Sequence, residues 1–359
     1  MDLASLCRLA MRVGASDIHL KVGAPPLMRV SGVLRALPDA APVAEEPLAA
    51  ALLALMSPVQ RERFERTSDV DLAHTVPGVA RFRCNVFRQQ GRVGAVLRAI
   101  PSNVRTIDEL NLPPILKKVA QEPRGLVLVT GATGSGKSTT LAAILEEINR
   151  TQHHHILTIE DPVEFVFTDK QCLINQREVG VDSADFHHAL RAALRQDPDV
   201  ILVGELRDLE TVEIALQAAE TGHLVLGTLH TIDAPETVNR LIGFFEPHQQ
   251  AQVRLRIGAV LRAVVSQRLV PAKPNGRVAA LEVMLNTSTI YECIVDPKRT
   301  REIRDHVRKG RATYGMQTFD QAIYDMIKAN RVQEELGLRY ANNPDSVALR
   351  LSGLGGDDD

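Results

Sequence analysis

Gly131-Ala132-Thr133-Gly134-Ser135-Gly136-Lys137-Ser138 is the stretch from which the fold can be read. It fits the pattern G-x-x-x-x-G-K-[ST]. Before it, Leu126–Thr130 is an apolar run of strand length; after it, Ser138–Asn149 has helical periodicity. Its glycines let successive backbone N–H groups converge on an anion, and the helix N-terminus adds positive dipole. The strand–turn–helix context disfavours a merely structural glycine turn. The spacing predicts a phosphate-binding loop, with Thr133, Gly134, Ser135, Gly136, Lys137, Ser138 and Thr139 against a nucleotide. Lys137 would bridge the β- and γ-phosphates and Ser138 would place its hydroxyl on Mg²⁺, so ATP and Mg²⁺ are the expected cofactors.

Working outward, short apolar strands at 126–130, 155–159, 199–203 and 223–229 alternate with helical segments at 137–150, 183–196 and 209–221. This alternation predicts an α/β domain, a parallel sheet wrapped by helices. After Pro271 the pattern changes to a last hairpin (277–284), then helices at about 288–295, 299–309, 317–330 and 333–341. The tail Gly355-Gly356-Asp357-Asp358-Asp359 has a disordered composition. Upstream, a helix over 3–13, strands at 16–20 and 27–30, a helical stretch over 43–66, a strand at 69–76 and a hairpin 79–87/92–100 make a small α+β domain. Pro101 ends it, and Pro113-Pro114 opens the next helix. The expected organisation is a first domain over 1–100, a polar hinge at 101–111 and an ATPase domain over 112–359, whose residues 275–359 hold the hairpin, helices and tail.

Composition narrows the function classes. A chain of 359 residues has room for two domains. It has no run of eighteen apolar residues, so no transmembrane segment is expected, and the N-terminal residues lack the features of a signal peptide. Both point to the cytoplasm, at most peripheral to the inner face of the membrane through partners. A net charge of −2 gives no basic field for nucleic acid. Arginine outnumbers lysine, which fits either a compositional bias of the source or ion pairing across subunit interfaces. Cys7, Cys84, Cys172 and Cys293 are far apart in sequence and form no Cys-x-x-Cys pair, so buried reduced thiols are expected.

Ligands of parallel α/β sheets gather at the carboxyl ends of the strands. Two acidic clusters fall there. One is Glu205, delivered by the strand Val200–Val203; the other is Glu160-Asp161-Pro162-Val163-Glu164. Position alone leaves open which glutamate is the base. His223 and His230 flank the strand Leu224–Leu229, and seven strand residues span roughly 23 Å, so they serve different places. His230, at the carboxyl end, is the γ-phosphate candidate; His223 is structural or at a subunit boundary. His153-His154-His155 reads as a polar turn. Arg81 and Arg83 share one face of a hairpin with Arg98 on the partner strand. Arginines from a neighbour neutralise the transferred phosphoryl group in oligomeric ATPases. Aromatic residues are only 4% of the chain, which argues against base stacking on this hairpin.

These motifs, in this order, resemble the type IV pilus retraction ATPases, the PilT/PilU-like twitching-motility group of the type II/IV secretion ATPases. The resemblance runs from about Ala15 to Asn343. It rests on Ser16-Asp17-Ile18-His19-Leu20, the phosphate loop, Thr158–Glu164, Arg195–Asp199 running into Gly204–Asp208, Thr221–Thr231, and Gly315-Met316-Gln317-Thr318. It implies a homohexameric ring of a PAS-like N-terminal domain and a RecA-like ATPase domain, ATP hydrolysis that retracts pili, and a membrane platform protein of the pilus as partner. It implies Glu164 as general base, Glu205 on the magnesium side with Ser138, a γ-phosphate role for His230, and nucleotide contacts in trans from Arg81 and Arg83. Assembly ATPases of similar core usually carry a tetracysteine zinc insert and a further N-terminal domain; this chain has neither. It departs from the retraction pattern at Thr289–Asp296, where that group's helix carries arginines. That difference leaves room for an accessory role beside a paralogous retraction ATPase.

Overall fold

The structure, a computed structural model, describes residues 2–30, 32–38, 40–100 and 104–354. Pro101 and the expected tail at 355–359 lie outside the described residues, as do residues 102 and 103 of the expected hinge. Two compact units emerge: Met1–Asn103 with Glu164–Val166, and Val104–Val163 with Phe167–Asp359.

In the first unit, α1 (Leu3–Arg12) starts at Asp2, whose carboxylate accepts the Ser5 N–H at 3.0 Å. Then come β1 (Ala15–Lys21), β2 (Leu27–Val30), β3 (Val33–Ala36), α2 (Glu45–Leu53), α3 (Pro58–Thr67), β4 (Asp69–Val76), β5 (Ala80–Gln89) and β6 (Arg92–Ile100). The strands form one antiparallel sheet in the order β3-β2-β1-β6-β5-β4. One face buries Ile18, Leu20, Phe82, Cys84 and Leu97 in a core shared with the helices. The other carries Arg83 opposite Arg98, and Arg98 opposite Asp17. The single helix expected over 43–66 is two. Ser57 accepts the Gln60 N–H, the Gln60 side chain accepts the Ser57 N–H, and Pro58 fills the first helical position, so a new helix starts there. The unexpected β3 is wholly exposed, so no alternation of apolar residues marks it.

In the second unit, Ile107 of the described part of the expected hinge is fully buried in the core. The elements are α4 (Ile115–Val119), β7 (Gly125–Thr130), α5 (Lys137–Thr151), β8 (His155–Glu160), β9 (Leu173–Glu178), α6 (Phe186–Ala193), β10 (Val200–Val203), α7 (Leu209–Glu220), β11 (Leu224–Leu229), α8 (Ala234–Ile242), α9 (Gln250–Val260), β12 (Leu261–Pro271) and β13 (Arg277–Leu285). The sheet order is β13-β12-β7-β11-β10-β8-β9, parallel throughout except for β13. The central strands alternate between two cores. Leu126 and Leu128 of β7, Ile201 and Val203 of β10 and Val225 of β11 face α6 to α9. Val127, Val129, Val200, Leu202, Leu224 and Leu226 face α4 and α5. Burial on both faces explains why these strands read as unbroken apolar runs.

The expected hairpin at 277–284 is instead one strand, β13, paired with β12 from Ala263 opposite Leu285 to Pro271 opposite Arg277. β9 is half-exposed and polar, and β12 continues directly from α9, so neither stands out in the sequence. The helical end comprises α10 (Ser288–Val295), a 3-10 turn (Thr300–Glu302), α11 (Ile303–Lys309), α12 (Arg311–Tyr314), α13 (Phe319–Lys328), α14 (Glu334–Leu338) and α15 (Pro344–Leu351). Gln317 bridges back to β13, its N–H and C=O pairing with Val283 at 3.2 and 2.8 Å.

Candidate functional site

The register sets Thr130 beside Leu229 and Ser266, and Val203 beside Gly227 and Ile159. Gly131, His230, Gly204 and Glu160 therefore leave the sheet along one edge, the carboxyl edge expected from the sequence. The phosphate loop spans β7 and α5. Gly131, Gly134 and Gly136 have φ of 142°, 78° and 89°, a region where a side chain is strained. A Cβ on Gly131 would also meet the Gln267 carbonyl oxygen at 2.4 Å, and one on Gly136 the Gln267 Nε2 at 2.8 Å.

Gln267 is the residue that sequence reading missed. Fully buried on β12, it donates from Nε2 to the Ser135 carbonyl (2.7 Å) and accepts at Oε1 from the Thr140 hydroxyl (2.6 Å). One side chain thus braces the loop and the first turn of α5. Beside it, Thr130 donates from Oγ1 to the Ser266 hydroxyl at 3.0 Å.

Three of the expected side chains meet at the open end of this loop. Lys137 Nζ donates to the carbonyls of Gly131 (2.8 Å) and Ala132 (3.2 Å) and lies 3.5 Å from His230 Nδ1. His230 Nε2 is 3.1 Å from Glu205 Oε1, and Arg207 holds Glu205 Oε2 at 2.8 Å. Thr228 Oγ1 donates to the Gly204 carbonyl at 2.5 Å, fixing the turn that presents Glu205. A lysine at the start of α5 and a histidine and a glutamate just past the ends of β11 and β10 form one polar line.

The loop fits a phosphate chain. α5 has no side-chain N-cap, so the first-turn N–H groups of Lys137, Ser138 and Thr139 face outward as anion donors. The buried Ser135 hydroxyl has no hydrogen-bond partner among the described residues. The Ser138 hydroxyl and the Glu205 carboxylate are hard oxygen donors of the kind Mg²⁺ prefers.

The other expected residues are not all in this line. Glu160 is buried at the end of β8, accepting from Thr158 (2.7 Å) and Gln176 (3.3 Å). Glu164 is exposed and groups with the first unit, as do Arg81 and Arg83, so the second unit alone does not set their distances to Lys137. Arg83 lies 3.7 Å from Asp71. Arg98 donates to Asp17 at 2.8 Å; burial opposes ionisation of Asp17, but the Arg98 and Ser16 hydrogen bonds outweigh it and hold its carboxyl below the usual range. His223 sits at the far end of β11, with Nδ1 2.9 Å from the Ala218 carbonyl. His155 starts β8, its N–H bound to Asp199 at 2.8 Å, a structural use of the histidine run.

Four likenesses to known proteins bear on this site. The family model for type II/IV secretion system proteins matches residues 3–353. The type IV pilus retraction ATPase PilT of Pseudomonas aeruginosa is 46% identical over 96% of this chain and all of its own length. The type IV pilus ATPase PilU of the same organism is 40% identical over all of this chain and 93% of its own. A crystal structure of the pilus retraction motor PilT with bound ADP superposes with a TM-score of 0.88 at 42% identity, covering 96% of this chain and 98% of that one.

Proposed function

Because the chain belongs to the type II/IV secretion system protein family, we propose that it is a hexameric ATP-hydrolysing motor that retracts type IV pili and so drives twitching motility. The observation that carries this reading is the line Lys137–His230–Glu205 at the mouth of a braced phosphate loop. The full-length likeness to a retraction ATPase supports it.

In this reading ATP lies with its phosphates on the N–H groups of residues 133–139. Lys137 exchanges the loop carbonyls for β- and γ-phosphate oxygens, and His230 donates to the γ-phosphate. Ser138 and Glu205 would hold Mg²⁺, which when bound would supply charge neutralisation on the transferred phosphoryl group. Glu164 takes the proton of the attacking water, and Arg81 and Arg83 of a neighbouring copy approach the phosphates. Domain closure and reopening around the nucleotide turn hydrolysis into movement of the ring. The motor works in the cytoplasm at the inner face of the membrane, passing force to a pilus platform protein. No helix among the described residues is long and apolar enough to cross a membrane.

A second reading, an accessory ring subunit beside a paralogous retraction ATPase, draws on the departure at Thr289–Asp296, which runs from the second residue of α10 to its C-cap. The test is a count of surface pili in cells carrying Lys137→Ala in place of the natural protein. More pili than wild type with lost surface motility is the expected result. Bare cells would mean an assembly motor, and unchanged piliation with no turnover by the purified natural protein would mean an accessory subunit.

A further inference from the structure

The residues just after His230 are pinned more heavily than a surface loop requires. Thr231 and Thr237 share a hydroxyl–hydroxyl hydrogen bond of 2.7 Å, and the Thr237 hydroxyl also donates to the Asp233 carbonyl at 2.7 Å. The Ile232 N–H donates to Glu236 at 3.1 Å. Asp233 caps α8, accepting the Glu236 N–H at 2.9 Å, and its second oxygen accepts from Arg304 of α11 at 2.8 Å.

The last pin comes from β13. Glu282 is 1% exposed, and its Oε1 accepts the Ala234 N–H, the first N–H of α8, at 2.9 Å. Its Oε2 is buried without a hydrogen-bond partner among the described residues. The charged groups around Glu282 are Asp233, Arg304 and Arg268. An ionisable group so placed is costly, and an apolar residue would fill the same space at less cost. The fold keeps a carboxyl there, joined through one N–H to the turn that carries His230.

We propose that Glu282 is a positioning residue for the nucleotide site: with Asp233 and Arg304 it fixes the first turn of α8 and so aims His230 between Lys137 and Glu205. The same contacts tie the C-terminal helices to that histidine. The inference rests on the reading of His230 as a γ-phosphate group.

The test is a double-mutant cycle on the full-length protein, reading kcat and ATP affinity separately. Glu282→Met is close in volume but accepts no hydrogen bond from Ala234. Alone it lowers kcat roughly tenfold or more while leaving ATP affinity within about twofold, because only the aim of His230 changes. In a His230→Ala background it lowers kcat no further. Glu282→Gln, which keeps an acceptor for the Ala234 N–H, restores turnover relative to Glu282→Met. An equal loss with and without His230, or no loss at all, overturns the proposal. Wild-type turnover by His230→Ala alone overturns the reading of His230 itself. If Glu282→Met does not fold, as judged by its thermal melt, Arg304→Ala replaces it in the same cycle. Arg304 is half-exposed and releases Asp233 without opening the core.

Discussion

Two glutamates compete for the role of general base, and their surroundings differ. Both oxygens of Glu205 are engaged, one by His230 and one by Arg207. A carboxylate held that way is placed to orient a cation or a water. Glu164 is exposed, in the segment that follows Glu160 at the end of β8. Glu164→Gln should therefore cut turnover by about a hundredfold or more while nucleotide affinity stays within a few-fold. Steady-state hydrolysis with a fluorescent-nucleotide titration checks this. An active Glu164→Gln beside a dead Glu205→Gln would reverse the assignment. At this scale the sequence was legible where the chemistry is contiguous: the loop Gly131–Ser138 and the carboxylates at strand ends stand in unbroken stretches. It was silent on Gln267, because that side chain reaches a partner 132 positions away and nothing local in Ser266-Gln267-Arg268 marks it.

Elements follow the same logic of local against distant causes. β7, β8, β10 and β11 are apolar on both faces and could be read directly. β9 and β3 lie at sheet edges with exposed residues, so their pairing comes from neighbours rather than pattern. The anchoring of α8 was also hidden. Asp233-Ala234-Pro235 is a recognisable helix opening, but its second anchor, Glu282, comes from a strand 48 positions on. That anchor has a measurable signature. Burial pushes the Glu282 carboxyl up from 4.5 to about 7, the Ala234 hydrogen bond opposing the shift and Asp233 adding to it. The folded chain thus holds a proton that the unfolded chain releases between pH 4.5 and 7. The stability contributed by this group is fully present below pH 4.5 and is lost as pH rises to about 7. Measured against Glu282→Gln, which does not titrate, wild type should lose on the order of 3 kcal/mol across that window. Urea unfolding of both proteins at pH 5 and pH 7.5 reads the difference; parallel losses would mean that Glu282 ionises normally.

For the whole molecule, the proposed ring places half of each site's chemistry on another copy. Arg81 and Arg83 belong to the first compact unit and Lys137 to the second. In a closed ring with head-to-tail interfaces, one copy's first unit can serve the next copy's phosphate loop. This arrangement separates cleanly from a site completed within one chain. Lys137→Ala lacks a working phosphate loop but keeps its arginines; the double variant Arg81→Ala/Arg83→Ala keeps the loop and lacks them. Each alone should be nearly inactive. Dissociated, mixed one to one and reassembled, they should recover up to about a quarter of wild-type turnover, because a random ring pairs an intact loop with intact neighbouring arginines at that share of its interfaces. If the arginines act on the nucleotide of their own chain, no subunit in the mixture carries both parts, and the mixed rings stay as inactive as their parents.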